Sequence, residues 1–274
     1  MDATLTRLYP IPSTPRPLAG TYLAHNLRAL GASGRPFVYA NFVTSLDGRT
    51  SQIDRELGRL RPPAPISNDN DWRLYLELAA QADAVVTSSS RLHAMLAEDR
   101  AAIHCVEAID EGDIGDWRRA QGLHAMPICI VLSKTLDLPI DQLLALPHCE
   151  LVIMAGAGAD PATAERLRAG GIDVRITPQR WVVGDDIRTL ARERDFRTVY
   201  AIGGPDIVYT LLDARLLDRL YLTVAHLALA GRDYDTLTRG DTLMPPFGFR
   251  LNELYLNAAT MNRPEILFAS YNRA

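Results

Sequence analysis

From Pro36 onward the chain alternates short apolar runs, rich in β-branched and aromatic residues, with segments of helical character. No other feature narrows the fold as far. Phe37 to Val43, Ala84 to Val86, Ile128 to Leu132, Glu150 to Met154, Ile172 to Ile176, Thr198 to Ile202 and Leu220 to Ala225 read as buried strands. A helix capped by Ser67 or Asn68 runs to about Gln81. Further helices span Pro161 to Ala169, Asp185 to Arg194 and Pro205 to Leu212. Strands alternating with helices imply an α/β fold: a mostly parallel central sheet with helices on both faces. Two closing strands, Phe249 to Tyr255 and Glu265 to Tyr271, add an antiparallel C-terminal edge. Leu92 to Met126 mixes a helix with acidic, glycine-containing loops.

Residues 1–35 read as a separate leader, because Pro10, Pro12, Pro15 and Pro17 forbid regular helix there. A short helix from about Thr21 to Leu30, ended by Gly31, is expected within it. The leader wraps either its own domain, residues 36–274, or a partner subunit. The formal net charge of −4 gives no global field to attract nucleic acid or anionic lipid. Cys105, Cys129 and Cys149 are far apart and form no C-x-x-C pair, which argues against a disulfide framework and against a zinc site. They read as thiols in a reducing compartment. No signal peptide and no run of membrane-spanning length is present. The expectation is a cytoplasmic protein without metal, nucleic acid or membrane.

Two glycine loops compete for a phosphate. Gly156-Ala157-Gly158-Ala159-Asp160-Pro161 follows a strand and precedes a helix, but Pro161 replaces the third glycine of a dinucleotide fingerprint. A simple strand-to-helix connection is the better reading. Gly203-Gly204-Pro205-Asp206 places two residues without Cβ at a helix start, with proline at the first helical position. The free amides of that helix then face an anion. The alternative is a tight turn in which Asp206 only complements the helix dipole.

Several segments in order resemble one family. Phe37 to Gly48, ending in Ser45-Leu46-Asp47-Gly48, is similar to the first strand and turn of the reductase domain of the riboflavin-biosynthesis deaminase/reductase, the RibD C-terminal family. Ala82-Asp83-Ala84-Val85-Val86-Thr87-Ser88-Ser89 resembles its second strand and cofactor loop. Val131-Leu132-Ser133-Lys134 resembles a strand ending in serine, and Ile202-Gly203-Gly204-Pro205 with Leu211 to Leu220 resembles its glycine-loop helix and next strand. The resemblance implies a dihydrofolate-reductase-like fold and NADPH as cofactor. It puts Thr44 near the nicotinamide and Gly203, Gly204, Pro205, Asp206 and Ile207 around the diphosphate. Ser133 and Lys134 fall to the adenosine 2′-phosphate, with Ser88 and Arg91 in a loop that departs from the usual Gly-x-Gly-Thr. A small heterocyclic substrate and a homodimer are also implied.

Other departures fall on the substrate side. Asn41, Ile202 and Ala79 stand where the family carries a lysine, a glutamate and an arginine. Asn41, Ser45 and Ser67 remain as candidate substrate ligands, with Asn41 and Asp47 as candidate catalytic groups. For Asp47 a structural turn role weighs equally. The six histidines are scattered and read as packed or surface residues. No zinc deaminase signature occurs. The activity implied is hydride transfer that turns a ribosylamino into a ribitylamino pyrimidine. Alternatives are reduction of another heterocycle, such as dihydrofolate, or NADP binding without catalysis.

Overall fold

A computed structural model describes residues 4–11, 15–56, 58–97, 109–145, 150–258 and 264–274. The strands are β1 (Thr4–Tyr9), β2 (Pro15–Pro17), β3 (Phe37–Ser45), β4 (Ser51–Asp54), β5 (Arg59–Arg61), β6 (Ala84–Ser88), β7 (Ile128–Ser133), β8 (Leu151–Ala155), β9 (Asp173–Ile176), β10 (Thr198–Ala201), β11 (Arg219–Ala225), β12 (Tyr234–Asp235), β13 (Phe249–Asn257) and β14 (Ile266–Arg273). The helices are α1 (Asp69–Ala79), α2 (Ser89–Ala97), α3 (Gly112–Ala120), α4 (Ile140–Leu144), α5 (Pro161–Ala169), α6 (Gly184–Glu193) and α7 (Pro205–Asp213).

Eleven strands form one sheet in the order β2-β1-β13-β14-β11-β3-β10-β6-β7-β8-β9. From β11 to β9 every neighbouring pair is parallel, and from β11 back to β2 every pair is antiparallel. The α/β fold class is therefore as expected. Its antiparallel half is larger, because the leader adds β1 and β2 beyond the C-terminal strands. Proline is tolerated in β2 because that strand lies at the sheet edge.

The helices divide by the direction of chain travel. From β3 through β6, β7 and β8 to β9 the chain moves one way across the sheet, and from β9 to β10 and β11 it moves back. Right-handed crossovers then place the outgoing helices on one face and the returning ones on the other. One core holds Leu74, Leu78, Leu92, Ile114, Leu143 and Leu167 from α1 to α5. The other holds Ile187, Leu190, Val208 and Leu211 from α6 and α7. Strand alternation serves both: Tyr39 and Tyr200 point to the first core, while Val38, Ala40, Val199 and Ala201 point to the second.

The helix expected from Thr21 to Leu30 is instead two 3-10 turns, Leu23–His25 and Leu27–Ala29, separated by Asn26 in a left-handed conformation (φ 44°). Side chains of α1 and the turn after it accept from amides of this segment. The Glu77 carboxylate accepts from Gly20 N at 2.6 Å, Tyr22 N at 2.9 Å and Leu23 N at 3.3 Å. Gln81 Oε1 accepts from Leu27 N at 2.9 Å. The leader thus packs on its own domain, and Leu5, Leu18, Tyr22 and Leu27 join the first core. Three short strands, β12-β4-β5, make a second sheet that the sequence pattern did not announce.

Cys129, buried in β7, is disulfide-bonded, which corrects the expectation of separate thiols; both other cysteines lie outside the described residues. Linear spacing is silent about which residues the fold brings together.

Candidate functional site

The carboxyl ends of β3, β10, β6 and β7 lie side by side, although β10 follows β9 in sequence. Chain travel reverses at β10, which makes its end the topological switch of the sheet, where open α/β sheets leave a crevice for ligands. The loop Ile202–Gly204 opens there, and its two glycines differ. A Cβ on Gly203 would stand 2.1 Å from Ile207 Cδ1, so a side chain there forces the end of Ile207 to move. Gly204, the N-cap of α7 at φ −73°, has nothing within 4 Å of a Cβ position. Open space therefore lies against the amide end of a helix, with Pro205 and Ile207 buried behind it. Asp206 is not aimed alone at that space. Arg239 holds it through Nε at 2.9 Å and Nη2 at 3.2 Å, and also reaches Asp235 at 2.8 Å.

The competing loop is filled. A Cβ on Gly156 would lie 2.0 Å from Arg180 O, and Ala157 N already donates to Gln179 O at 2.8 Å. It serves as a strand-to-helix connection.

Flanking β10, Ser88 Oγ accepts from Arg91 N at 3.3 Å, and the Arg91 side chain is exposed. Beside them Thr87 is buried with its hydroxyl unpartnered. At the end of β7, Ser133 Oγ accepts from Leu136 N at 3.1 Å and ties the turn. Lys134, the single lysine of the chain, stands 5.2 Å from the ring centre of Trp181, and Arg180 stands 4.6 Å from the same ring. Arg180 and Trp181 come from the segment after β9, and sequence reading missed them. Their one signal is an exposed aromatic between cations, which gains meaning only when β7 is alongside.

On the α1 face, Tyr200 OH donates to Asn41 Oδ1, and the Tyr200 ring stacks on Tyr39 at 4.8 Å. Tyr75 lies 5.9 Å from Tyr200 and 4.9 Å from Trp72, continuing an aromatic wall along α1. Burial pushes the Tyr200 phenol well above its usual range, so it keeps its proton. Ser67 Oγ donates to Asp71 Oδ2 at 2.8 Å, and Asp71 is only 7% exposed. Burial raises the Asp71 carboxyl above the usual carboxylate range against the opposing hydroxyls of Thr223 and Ser67. Sequence reading did not single out Asp71 or Tyr200. Asn41 and Val43, half-buried on this face of a central strand, mark where the sheet is not covered.

Asp47 lies beyond the strand end. It accepts from Ser45 Oγ, from Ala230 N at 2.8 Å, Leu229 N at 3.2 Å and Arg49 Nη1 at 2.7 Å. The Ser45 hydroxyl and the Ala230 amide, with smaller help from Leu229 and Arg49, lower its carboxyl to about 2. Ser45 is drawn into that turn, and Thr44 Oγ1 is 3.1 Å from Ser45 O. The structure therefore groups Asn41 with Tyr200, and Ser67 with Asp71, while Asp47 and Ser45 brace the turn against the segment after β11. Ala79 is fully buried and Ile202 is 7% exposed. His25, expected to be packed, lies 2.7 Å from Glu253 Oε2 and 2.7 Å from Tyr221 OH. Among the described residues no cluster could hold a metal ion, and no helix is long and apolar enough to cross a membrane.

Residues 36–253 match the family described as RibD C-terminal domain. A 2,5-diamino-6-ribosylamino-4(3H)-pyrimidinone 5′-phosphate reductase of Archaeoglobus fulgidus is 22% identical over 216 residues, 77% of this chain and 89% of the relative. Among solved structures, a pyrimidine reductase-like protein from Corynebacterium diphtheriae superimposes with a TM-score of 0.67 at 20% identity, covering 87% of this chain and 92% of its own. The riboflavin biosynthesis reductase Rib7 of Saccharomyces cerevisiae gives 0.55 at 15% identity, over 93% of this chain and 99% of its own. At these identities the structural likeness carries the fold alone.

Proposed function

Because the chain belongs to the RibD C-terminal domain family, we propose that it is a reductase that converts a ribosylamino pyrimidine phosphate to its ribitylamino form with NADPH. The observation that carries this reading is Gly204, open at the start of α7 and set at the switch point of the sheet. Gly203, Gly204 and the α7 amides, with Ile207 behind them, fit a diphosphate. The unpartnered Thr87 hydroxyl fits a further polar group beside them, with Ser88 and Arg91 next along the chain. When bound, the cofactor supplies hydride, and the protein supplies orientation and exclusion of water.

Preference for NADPH over NADH rests on Lys134 and Arg180. Among the described residues neither faces a carboxylate, and both lean on Trp181. Two cations at the end of β7 suit a 2′-phosphate dianion, with Ser133 in the adjoining turn. Thr44 closes the nicotinamide side. The aromatic wall of Trp72, Tyr75 and Tyr200, with Asn41 at its base, suits a flat heterocycle with hydrogen-bonding edges. A second reading, another heterocycle such as dihydrofolate, is favoured by one observation. Ala79 and Ile202 are apolar and buried, so neither position offers the substrate a charged or hydrogen-bonding side chain. The protein acts in the cytoplasm as a homodimer in this reading, without nucleic acid. Light scattering checks the dimer.

The test is thermal shift and turnover. A ligand of the native state alone raises Tm, and NADPH raises it more than NADH. Lys134→Ala and Arg180→Ala narrow the gap. NADPH is oxidised with the ribosylamino pyrimidine, giving a product two hydrogens heavier by mass. Equal response to both cofactors overturns the 2′-phosphate role, and turnover of dihydrofolate alone supports the second reading.

A further inference from the structure

The corner that takes the diphosphate in this reading also carries a carboxylate. Asp206 is the second residue of α7, two places past the open Gly204. A carboxylate suits the positive end of a helix, but it repels an anion brought to the same amides. The chain meets that charge with a residue from another part of the fold. The segment after β12 is laid onto the first turns of α7. A Cβ on Gly240 would stand 2.2 Å from Tyr209 Cγ, so backbone and ring approach more closely there than a side chain permits. Arg239 N donates to Pro205 O at 3.3 Å. The guanidinium then meets Asp206 edge-on, with Nε on Oδ1 at 2.9 Å and Nη2 on Oδ2 at 3.2 Å. Asp235 Oδ1 accepts from Nη1 at 2.8 Å, and its Oδ2 accepts from Ser51 Oγ at 3.3 Å.

We propose that Arg239 is a cofactor-binding residue, which neutralises Asp206 at the start of α7 and gives its remaining N–H donors to the diphosphate of the dinucleotide. The inference rests on the reductase reading above and adds to it a residue that the family resemblance did not point to. Three of the five guanidinium donors are used on the two carboxylates, which leaves one on Nη1 and one on Nη2. The Arg239 side chain is 59% exposed and that of Asp206 50%, so the pair stands in water and adds little to the stability of the fold. Its position at the open end of α7 is what sets it apart. A second observation at this corner points to a polar ligand. Ile202 N donates to Val86 O at 2.9 Å, which sets Thr87 beside Gly203. Thr87 is 1% exposed, and its hydroxyl has no partner among the described residues. A buried hydroxyl left unpaired is costly, and a bound polar group removes that cost.

The formal charges give this role a signature that a mere loop tether lacks. Arg239, Asp206 and Asp235 together carry one negative charge. Arg239→Ala doubles it, Asp206→Asn cancels it, and the double variant restores the native sum without the guanidinium donors. A tether, in contrast, is cut to the same extent in all three variants.

The experiment titrates wild type, Arg239→Ala, Asp206→Asn and the double variant with NADPH and with NADH, read by cofactor fluorescence at low and at high salt. Arg239→Ala weakens both cofactors by about 10- to 100-fold at low salt, the range of a hydrogen bond to a charged group. The loss shrinks at high salt, because exposed charges are screened. Asp206→Asn binds both cofactors more tightly than wild type, and the double variant recovers part of the loss. A double variant that binds no better than Arg239→Ala overturns the proposal, because the pair is then only a tether between α7 and the segment after β12. An affinity of Arg239→Ala within about twofold of wild type, the scale of an ordinary surface charge, overturns it as well. If Arg239→Ala fails to fold, Asp206→Asn carries the test, and no gain in its affinity overturns the proposal. A loss confined to NADPH puts Arg239 at the 2′-phosphate and overturns the diphosphate role. Wild type that binds neither cofactor removes the reductase reading and the role of Arg239 together, whereas wild-type binding that Arg239→Ala retains removes the role of Arg239 alone.

Discussion

Asp47 and Asp71 sit near the same end of β3, and their carboxyls move in opposite directions because of what faces them. Asp47 lies at the surface with donors converging on it, and its carboxyl falls from 3.8 to about 2. A depressed folded-state pKa gives stability that is present above the unfolded pKa and lost as pH falls through the folded one. Asp47→Asn therefore lowers Tm at neutral pH, and the gap to wild type closes as pH drops from about 4 to about 2 in a thermal melt series. If Asp47 instead acted in the chemistry, its substitution would cut kcat and leave that series unchanged. Asp71 is sealed from water without a cation, so its shift has the other sign. Residue type and spacing are alike at the two positions, an aspartate in a polar stretch. Only the surroundings give the two carboxyls shifts of opposite sign.

At the scale of elements, the β10–α7 corner is the sharpest case. Gly203→Ala drives a methyl into Ile207. It destabilises the protein by about 1–3 kcal/mol in urea melts, the usual cost of overpacking. Gly204→Ala meets nothing and has an ordinary φ, so the fold tolerates it. Its methyl intrudes on the space assigned to the diphosphate, and NADPH affinity falls about tenfold by fluorescence titration, about 1.4 kcal/mol. A Gly204→Ala protein that binds cofactor as tightly as wild type would place the diphosphate elsewhere. The α1–α3 junction is held by Arg118, which is almost wholly buried. Its Nη1 donates to Ala80 O and Ala82 O at 2.8 Å each, and its Nε to His124 O at 2.6 Å. Arg118→Ala strips several buried carbonyls of their donor and costs about 3 kcal/mol by denaturant unfolding.

For the whole molecule, the N-terminal residues behave as part of the sheet. β1 pairs with β13, and Glu77 receives three leader amides while Arg73 reaches it at 2.8 Å. Deleting residues 1–30 leaves that carboxylate buried without those donors and bares a sheet edge. Stability falls by more than about 3 kcal/mol, and the truncated chain self-associates in light scattering. The sequence by itself determined the class of fold and the main crossovers. Apolar runs at strand length and helices that open on proline or an Asn cap are local signals, and Phe37 to Ser45 and Pro205 to Asp213 emerge nearly where their patterns put them. It also ranked the Gly203–Gly204 loop above the one that Pro161 interrupts, but left a tight turn open as its alternative; the space beside Gly204 and the Arg180 carbonyl against Gly156 belong to the tertiary structure. Tertiary structure alone decided the rest: that the leader makes strands and 3-10 turns, that Lys134 meets Trp181, and that Asp71 lies under Thr223. Each of these depends on atoms far apart in the chain coming into contact. Burial and hydrogen-bond competition are properties of that contact, and no local pattern records them.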